Sequence, residues 1–108
     1  MRLFRLALAA EDSGRHREAR KLYLQSAQSG PGRPEPLHNL GLMEWAGNNF
    51  EPALDYFRSA LERDPKFVLS LTAMARIAVQ LERKELAREC VEKLRILKES
   101  GQEISVSV

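Results

Sequence analysis

The chain has 108 residues, 44% apolar and 30% charged, about one domain's worth of a protein that buries a core rather than staying disordered. Seventeen basic and fifteen acidic residues are mixed along it for a net charge of +2, which excludes a strong field for nucleic acid or anionic lipid. No apolar run reaches the roughly 18 residues of a membrane-spanning helix, and a single cysteine, Cys90, excludes an internal disulfide or a CxxC metal site. The expected setting is therefore reducing and cytoplasmic, without membrane or nucleic-acid partners.

Taken in chain order, the opening MRLFRLALAA is read as mature protein, because Arg5 interrupts its apolar run. Turn residues cluster at Ser13-Gly14, Gly30 to Pro36, Gly47-Asn48-Asn49, Asp64-Pro65 and Ser100-Gly101. Between them apolar positions recur at three- and four-residue spacing, which predicts helices near residues 2–12, 16–29, 35–46, 50–63, 67–80 and 84–99. Pro52 falls in the first turn of the fourth, where its missing N–H has no helical partner. Only Ile104-Ser105-Val106-Ser107-Val108 alternates in the manner of a strand. The fold class expected is all-α, with residues 100–108 as a flexible C-terminal tail.

A shift of 34 residues lays the chain on itself in three copies. Leu3, Leu37 and Leu71 coincide, as do Leu6, Leu40 and Met74, and the small residues Ala7, Gly41 and Ala75. In the second half of each copy Ala19, Ala53 and Ala87 coincide, then Tyr23, Phe57 and Val91, while Pro31 and Pro65 close the first two copies. Such an order makes a helical hairpin, in which a small residue on the first helix lets the axes approach to the short end of the usual ~8–10 Å and a ring on the second fills the space beside it. One hairpin is too thin to bury its apolar faces, so hairpins must stack.

Copy three departs at its turn, where Leu81-Glu82-Arg83-Lys84 are all good helix formers. Two readings follow. Docking of Ala87 and Val91 onto Leu71, Met74 and Ala75 bends the chain into a third hairpin, or one helix runs from about Phe67 to Ser100 and exchanges with a second chain. On the outer side, Leu54 and Leu61 of copy two are followed one period later by Arg88 and Arg95, an awkward surface for a fourth hairpin. Leu86, Cys90 and Leu97 are left half exposed, or covered by the tail or another molecule.

The middle copy resembles the tetratricopeptide repeat (TPR) family, with Leu37, Leu40, Gly41, Ala53, Phe57, Ala60 and Pro65 at seven of eight signature positions and Glu44 where an aromatic is usual. In the outer copies Ala10, Ser26, Ala78, Val91 and Glu99 are the departures, and the resemblance spans roughly residues 1–99. It implies an α-solenoid of three stacked helix-turn-helix hairpins, about 1–33, 34–67 and 68–99, in a right-handed superhelix whose first helices line a concave, peptide-binding groove. The inward places it implies include Phe4, Arg5, Leu8 and Glu11, then His38, Asn39, Leu42 and Trp45, then Leu69, Thr72, Ala73, Arg76 and Val79. Large apolar side chains there call for a ligand, unless the superhelix is tight enough for them to cover one another. The carboxylate clamp of one branch of the family is not implied: of its places only Asn39 fits, with Phe4, Leu8, Leu69 and Ala73 in the others.

No GxSxG, glycine-rich phosphate loop, HExxH or aspartate-rich calcium loop occurs, and neither His16 nor His38 has a spaced second ligand, so no enzyme, metal or cofactor is expected. His16 and His38 read as solvated or groove residues, and Cys90 as a small packed one. The basic run Arg15, His16, Arg17, Arg20, Lys21 is interspersed with acids and carries no aromatic to stack on bases, so it reads as a solvated helix face. The function expected is a non-enzymatic adaptor that binds an apolar or amphipathic protein segment through Phe4, Arg5, Leu8, His38, Asn39, Leu42, Trp45, Thr72, Arg76 and Val79. The alternative is a self-assembly module, a homo-oligomer built by repeat stacking or exchange of the third hairpin.

Overall fold

The turn inside each helix pair places one residue in the left-handed backbone region, and that residue recurs every 34 positions: Gly14 at φ 78°, Asn48 at 62° and Glu82 at 58°. The computed structural model describes residues 2–30 and 32–107, with side chains to residue 101; Pro31, one of the two copy-ending prolines, lies outside the described residues. Six helices occur among them: α1 (Arg2–Asp12), α2 (His16–Ser29), α3 (Glu35–Ala46), α4 (Phe50–Arg63), α5 (Val68–Gln80) and α6 (Lys84–Ser107). The chain divides after Pro65 into two compact units. In the first, α1 pairs with α2, α2 with α3 and α3 with α4; in the second, α5 pairs with α6.

The turns explain why a hairpin forms with so few residues. Arg15 N–H donates to Ala10 C=O (2.8 Å) and Gly14 N–H to Glu11 C=O (3.0 Å), the Schellman pattern that closes a helix on a left-handed residue. Asn49 to Glu44 (2.8 Å) with Asn48 to Trp45 (2.9 Å) repeats it, and so does Arg83 to Ala78 (2.8 Å) with Glu82 to Val79 (3.1 Å). The residue that completes the motif also starts the next helix, since the carbonyls of Arg15, Asn49 and Arg83 accept from the N–H groups of Ala19, Ala53 and Ala87. Copy three is therefore a closed hairpin and not one continuous helix. Local helix propensity at residues 81–84 is overruled, and Glu82 takes a conformation that a side chain with a Cβ disfavours.

Inside the first unit the small-against-large rule holds closely. Ala7, Ala19, Tyr23, Leu40, Ala53 and Phe57 are fully buried. A Cβ built on Gly41 would lie 2.5 Å from Cε1 and 2.8 Å from Cδ1 of Phe57, a separation that packed atoms do not tolerate. Phe57 cannot retreat, because its other neighbours include the His38 ring at 5.3 Å.

Two expectations need correction. The helix does not break at Ser100-Gly101: α6 runs on to Ser107, so the strand-like alternation of residues 104–107 is folded as helix, and the backbone to that point does not turn back to cover Leu86, Cys90 or Leu97. One exposed glycine costs a helix only about 1 kcal/mol, and the flanking Lys98, Glu99, Gln102 and Glu103 favour continuation. Val91 is not packed as Tyr23 and Phe57 are but stands 58% exposed, while its neighbour Cys90 is buried. A ring at this place reaches beyond its own hairpin, as Tyr23 does toward α3, and valine is too short to do so. At the other end Leu6 is 45% exposed although Leu40 and Met74, one and two periods on, are buried.

Gly41→Leu is expected to destabilise the protein by about 1–3 kcal/mol or more by forcing the Gly41–Phe57 contact apart, read as a lowered denaturation midpoint. Glu82→Gly should act in the opposite sense, raising stability by roughly 0.5–1 kcal/mol through relief of the left-handed penalty, less glycine's greater unfolded-state entropy. A neutral or negative change on denaturant titration would show that the turn at Glu82 is not formed as described.

Candidate functional site

The expected contact residues fall in both compact units. In the first, α1 carries Phe4, Arg5 and Leu8, and α3 carries His38, Asn39, Leu42 and Trp45. Spacings of four and seven put Phe4 with Leu8, and His38 with Leu42 and Trp45, on one side of each helix. Arg5, Leu8 and Leu42 are exposed, whereas Phe4 and Trp45 are half-buried. Phe4 leans on the hairpin core, its ring 5.7 Å from that of Tyr23 and tilted by 54°.

Tyr23 links the three helices of this region. Its hydroxyl donates to Glu11 Oε1 at 2.6 Å on α1 and accepts from Asn39 Nδ2 at 3.2 Å on α3. Burial, reinforced by the Glu11 carboxylate that takes its hydrogen bond, raises the phenol above its ordinary range, so Tyr23 stays a neutral donor. Asn39, half-buried, thus gives one of its two amide N–H donors to the hairpin beneath it.

His38 is placed differently from the expectation of a solvated or groove histidine. It is only 7% exposed, and its ring lies at 47° to that of Phe57. Filling the space beside Phe57 is what draws it in, and burial lowers its pKa below the ordinary value of 6.5, favouring the neutral imidazole.

Sequence reasoning missed the polar contacts that tie the hairpins together. Arg20 of α2 makes an ion pair with Glu44 of α3, whose carboxylate is nearly buried. Arg63 at the end of α4 donates to the carbonyls of Ala27 (3.0 Å) and Arg33 (3.1 Å), satisfying the open C-terminal turn of α2. The signal for the first lay in one residue that breaks the repeat: Glu44 stands at a place held by Ala10 and Ala78, whereas the place of Arg20 holds Leu54 and then Arg88.

In the second unit Thr72, Arg76 and Val79 lie four and three residues apart on α5, hence on one face. Thr72 is half-buried, Arg76 exposed and Val79 69% exposed. Among the described residues no group of three or more His, Cys, Asp or Glu side chains could hold a metal ion. A cavity of about 460 Å³ opens at the helix ends between Arg2, Ser26, Ser29, Arg33 and Pro36, and none of the expected contact residues lines it.

A family profile described as tetratricopeptide repeat matches residues 4–66, more than half of the chain. The chain belongs to the tetratricopeptide repeat family. No curated protein matches it. Membership of that family is consistent with a general protein-interaction or scaffold role for this all-helical fold.

The buried His38 makes stability depend on pH. Its depressed value means that the unfolded chain binds a proton before the folded one does, so its contribution is present above the unfolded value of 6.5 and lost as pH falls through the folded one. Stability should decline between about pH 7 and pH 5, and His38→Gln should flatten that slope whatever its effect on absolute stability. An unchanged slope in urea titrations at the two pH values would place His38 in solvent.

Proposed function

We propose that the chain is a three-repeat adaptor whose residues 1–99 form one TPR solenoid, a right-handed superhelix, and that it binds an apolar or amphipathic segment of another protein along the concave side. The observation that carries this reading is the exposure of Leu8, Leu42 and Val79, large apolar side chains on first helices at places the hairpin seams do not use. The recurrence of the same Schellman turn at Glu82 supports extending the repeat to copy three, beyond the residues that the family profile matches. Phe4, Arg5, Trp45, Thr72 and Arg76 complete the contact surface, and His38 and Asn39 shape it from beneath. The closure of α5 on α6 supports the adaptor reading over a self-assembly module that exchanges its third hairpin between chains. No helix among the described residues is long and apolar enough to cross a membrane, and the lone, buried Cys90 suits a reducing, cytoplasmic setting.

Trp45, the only tryptophan, is both anchor and reporter. An amphipathic peptide that occupies the groove should shift its emission, and Trp45→Ala should weaken binding roughly thirtyfold, equivalent to about 2 kcal/mol, with the far-ultraviolet signal intact. A sharp fall in melting temperature together with unchanged binding would make Trp45 a core residue and remove the groove reading.

A further inference from the structure

The outer face of α6 is built like a face that the protein covers elsewhere. Arg88, Val91 and Arg95 occupy the register of Arg20, Tyr23 and Ala27 on α2. On α2 those places are covered by α3: Arg20 pairs with Glu44, Tyr23 bonds Asn39, and Ala27 shares the buried cluster of Leu37 and Leu40. Moving up α2 from Arg20 to Tyr23 moves down α3 from Glu44 to Asn39, so the two helices run antiparallel. On α6 the same places lie open: Val91 is 58% exposed and Arg88 is exposed and makes no ion pair among the described residues. Arg95 is held by Glu92 and Glu99 of its own helix and is half exposed.

An arginine at this place does not close the face, as the awkwardness of Arg88 against a fourth hairpin suggested; Arg20 shows that it selects a carboxylate. That decides between occupants. A second copy stacking its α1 here would set Leu3, Leu6 and Ala10 where α3 sets Leu37, Leu40 and Glu44, leaving Arg88 against an alanine in place of the carboxylate that pairs Arg20. A carboxylate at the Glu44 place meets Arg88, and one about seven residues earlier, in the incoming helix's first turn, meets Arg95 and suits the positive end of the helix dipole. Between them an apolar residue at the Leu40 place covers Val91.

We propose that the Arg88–Val91–Arg95 face of α6 docks an acidic amphipathic helix of another protein, antiparallel to α6 as α3 is to α2, with the pattern acid, two residues, apolar, three residues, acid. It is a surface separate from the groove and does not depend on that reading.

The test uses two lactam-bridged, alanine-rich helical peptides with Glu, Leu, Glu or Lys, Leu, Lys at that spacing, bridged because short free peptides are poor helices. Each is titrated into the full chain at low salt and followed by fluorescence anisotropy. The Glu peptide should bind at least about tenfold more tightly than its Lys twin. Arg88→Gln should abolish the preference and Arg88→Glu should reverse it, with helix content unchanged, while Trp45→Ala leaves both affinities as they were. Equal binding of the two peptides, binding of neither, or indifference to both Arg88 variants overturns the proposal. So does self-association of wild type that Val91→Glu abolishes, which would assign the face to a second copy; loss of binding in Trp45→Ala would assign it to the groove.

Discussion

The hairpins depend on one left-handed residue each. At positions 14, 48 and 82 the chain reverses through a Schellman motif whose last residue already begins the next helix, so the second helix starts at a fixed place relative to the end of the first. That fixes which residues oppose one another, and the small-against-large contacts of Ala7, Gly41, Tyr23 and Phe57 follow from it. Glycine meets the demand without strain and asparagine at little cost. Glutamate at position 82 meets it only because packing of α6 on α5 outweighs the penalty, which makes the third turn the most strained of the three.

Polar groups do the finer positioning. Burying a phenol, a carboxylate and an imidazole in so thin a fold is unfavourable unless each is satisfied or kept neutral. Tyr23 is satisfied by Glu11 and Asn39 and stays protonated; Glu44 is satisfied by Arg20; His38 is held neutral by burial against Phe57. Apolar contact alone would let the hairpins slide over one another, whereas the Glu11–Tyr23–Asn39 chain fixes α1 and α3 to α2 at single atoms.

Much of this fold was legible in the sequence, because period and punctuation agree: the apolar places recur at helical spacing and the turn residues fall between them. The third turn was legible from the 34-residue period and not from its own residues, which favour helix. The extension of α6 to Ser107 was hidden because a lone glycine reads as a stop, although its cost is small against the helix formers around it. His38 and Asn39 were read as surface because their helix positions point that way in a generic hairpin; the bulk of Phe57 and the hydroxyl of Tyr23 claim them instead. Glu44 looks like a wrong residue at an apolar place, and only its pairing with Arg20, 24 positions away, makes sense of it.

In an array whose members all offer similar apolar faces, those faces cannot tell one neighbour from another, and the polar exceptions must do so. At the register of Arg20, Leu54 and Arg88 the chain alternates charge and hydrocarbon, and at that of Ala10, Glu44 and Ala78 it does the same. Arg20 of α2 finds Glu44 of α3 within the first unit. A slipped order would leave the nearly buried Glu44 without its counter-charge, an error costing several kcal/mol, far more than the loss of a methyl contact. The ion pair thus contributes register more than strength. By the same reasoning Arg88, which makes no ion pair among the described residues, is the residue on which the proposed choice of a helix beside α6 rests.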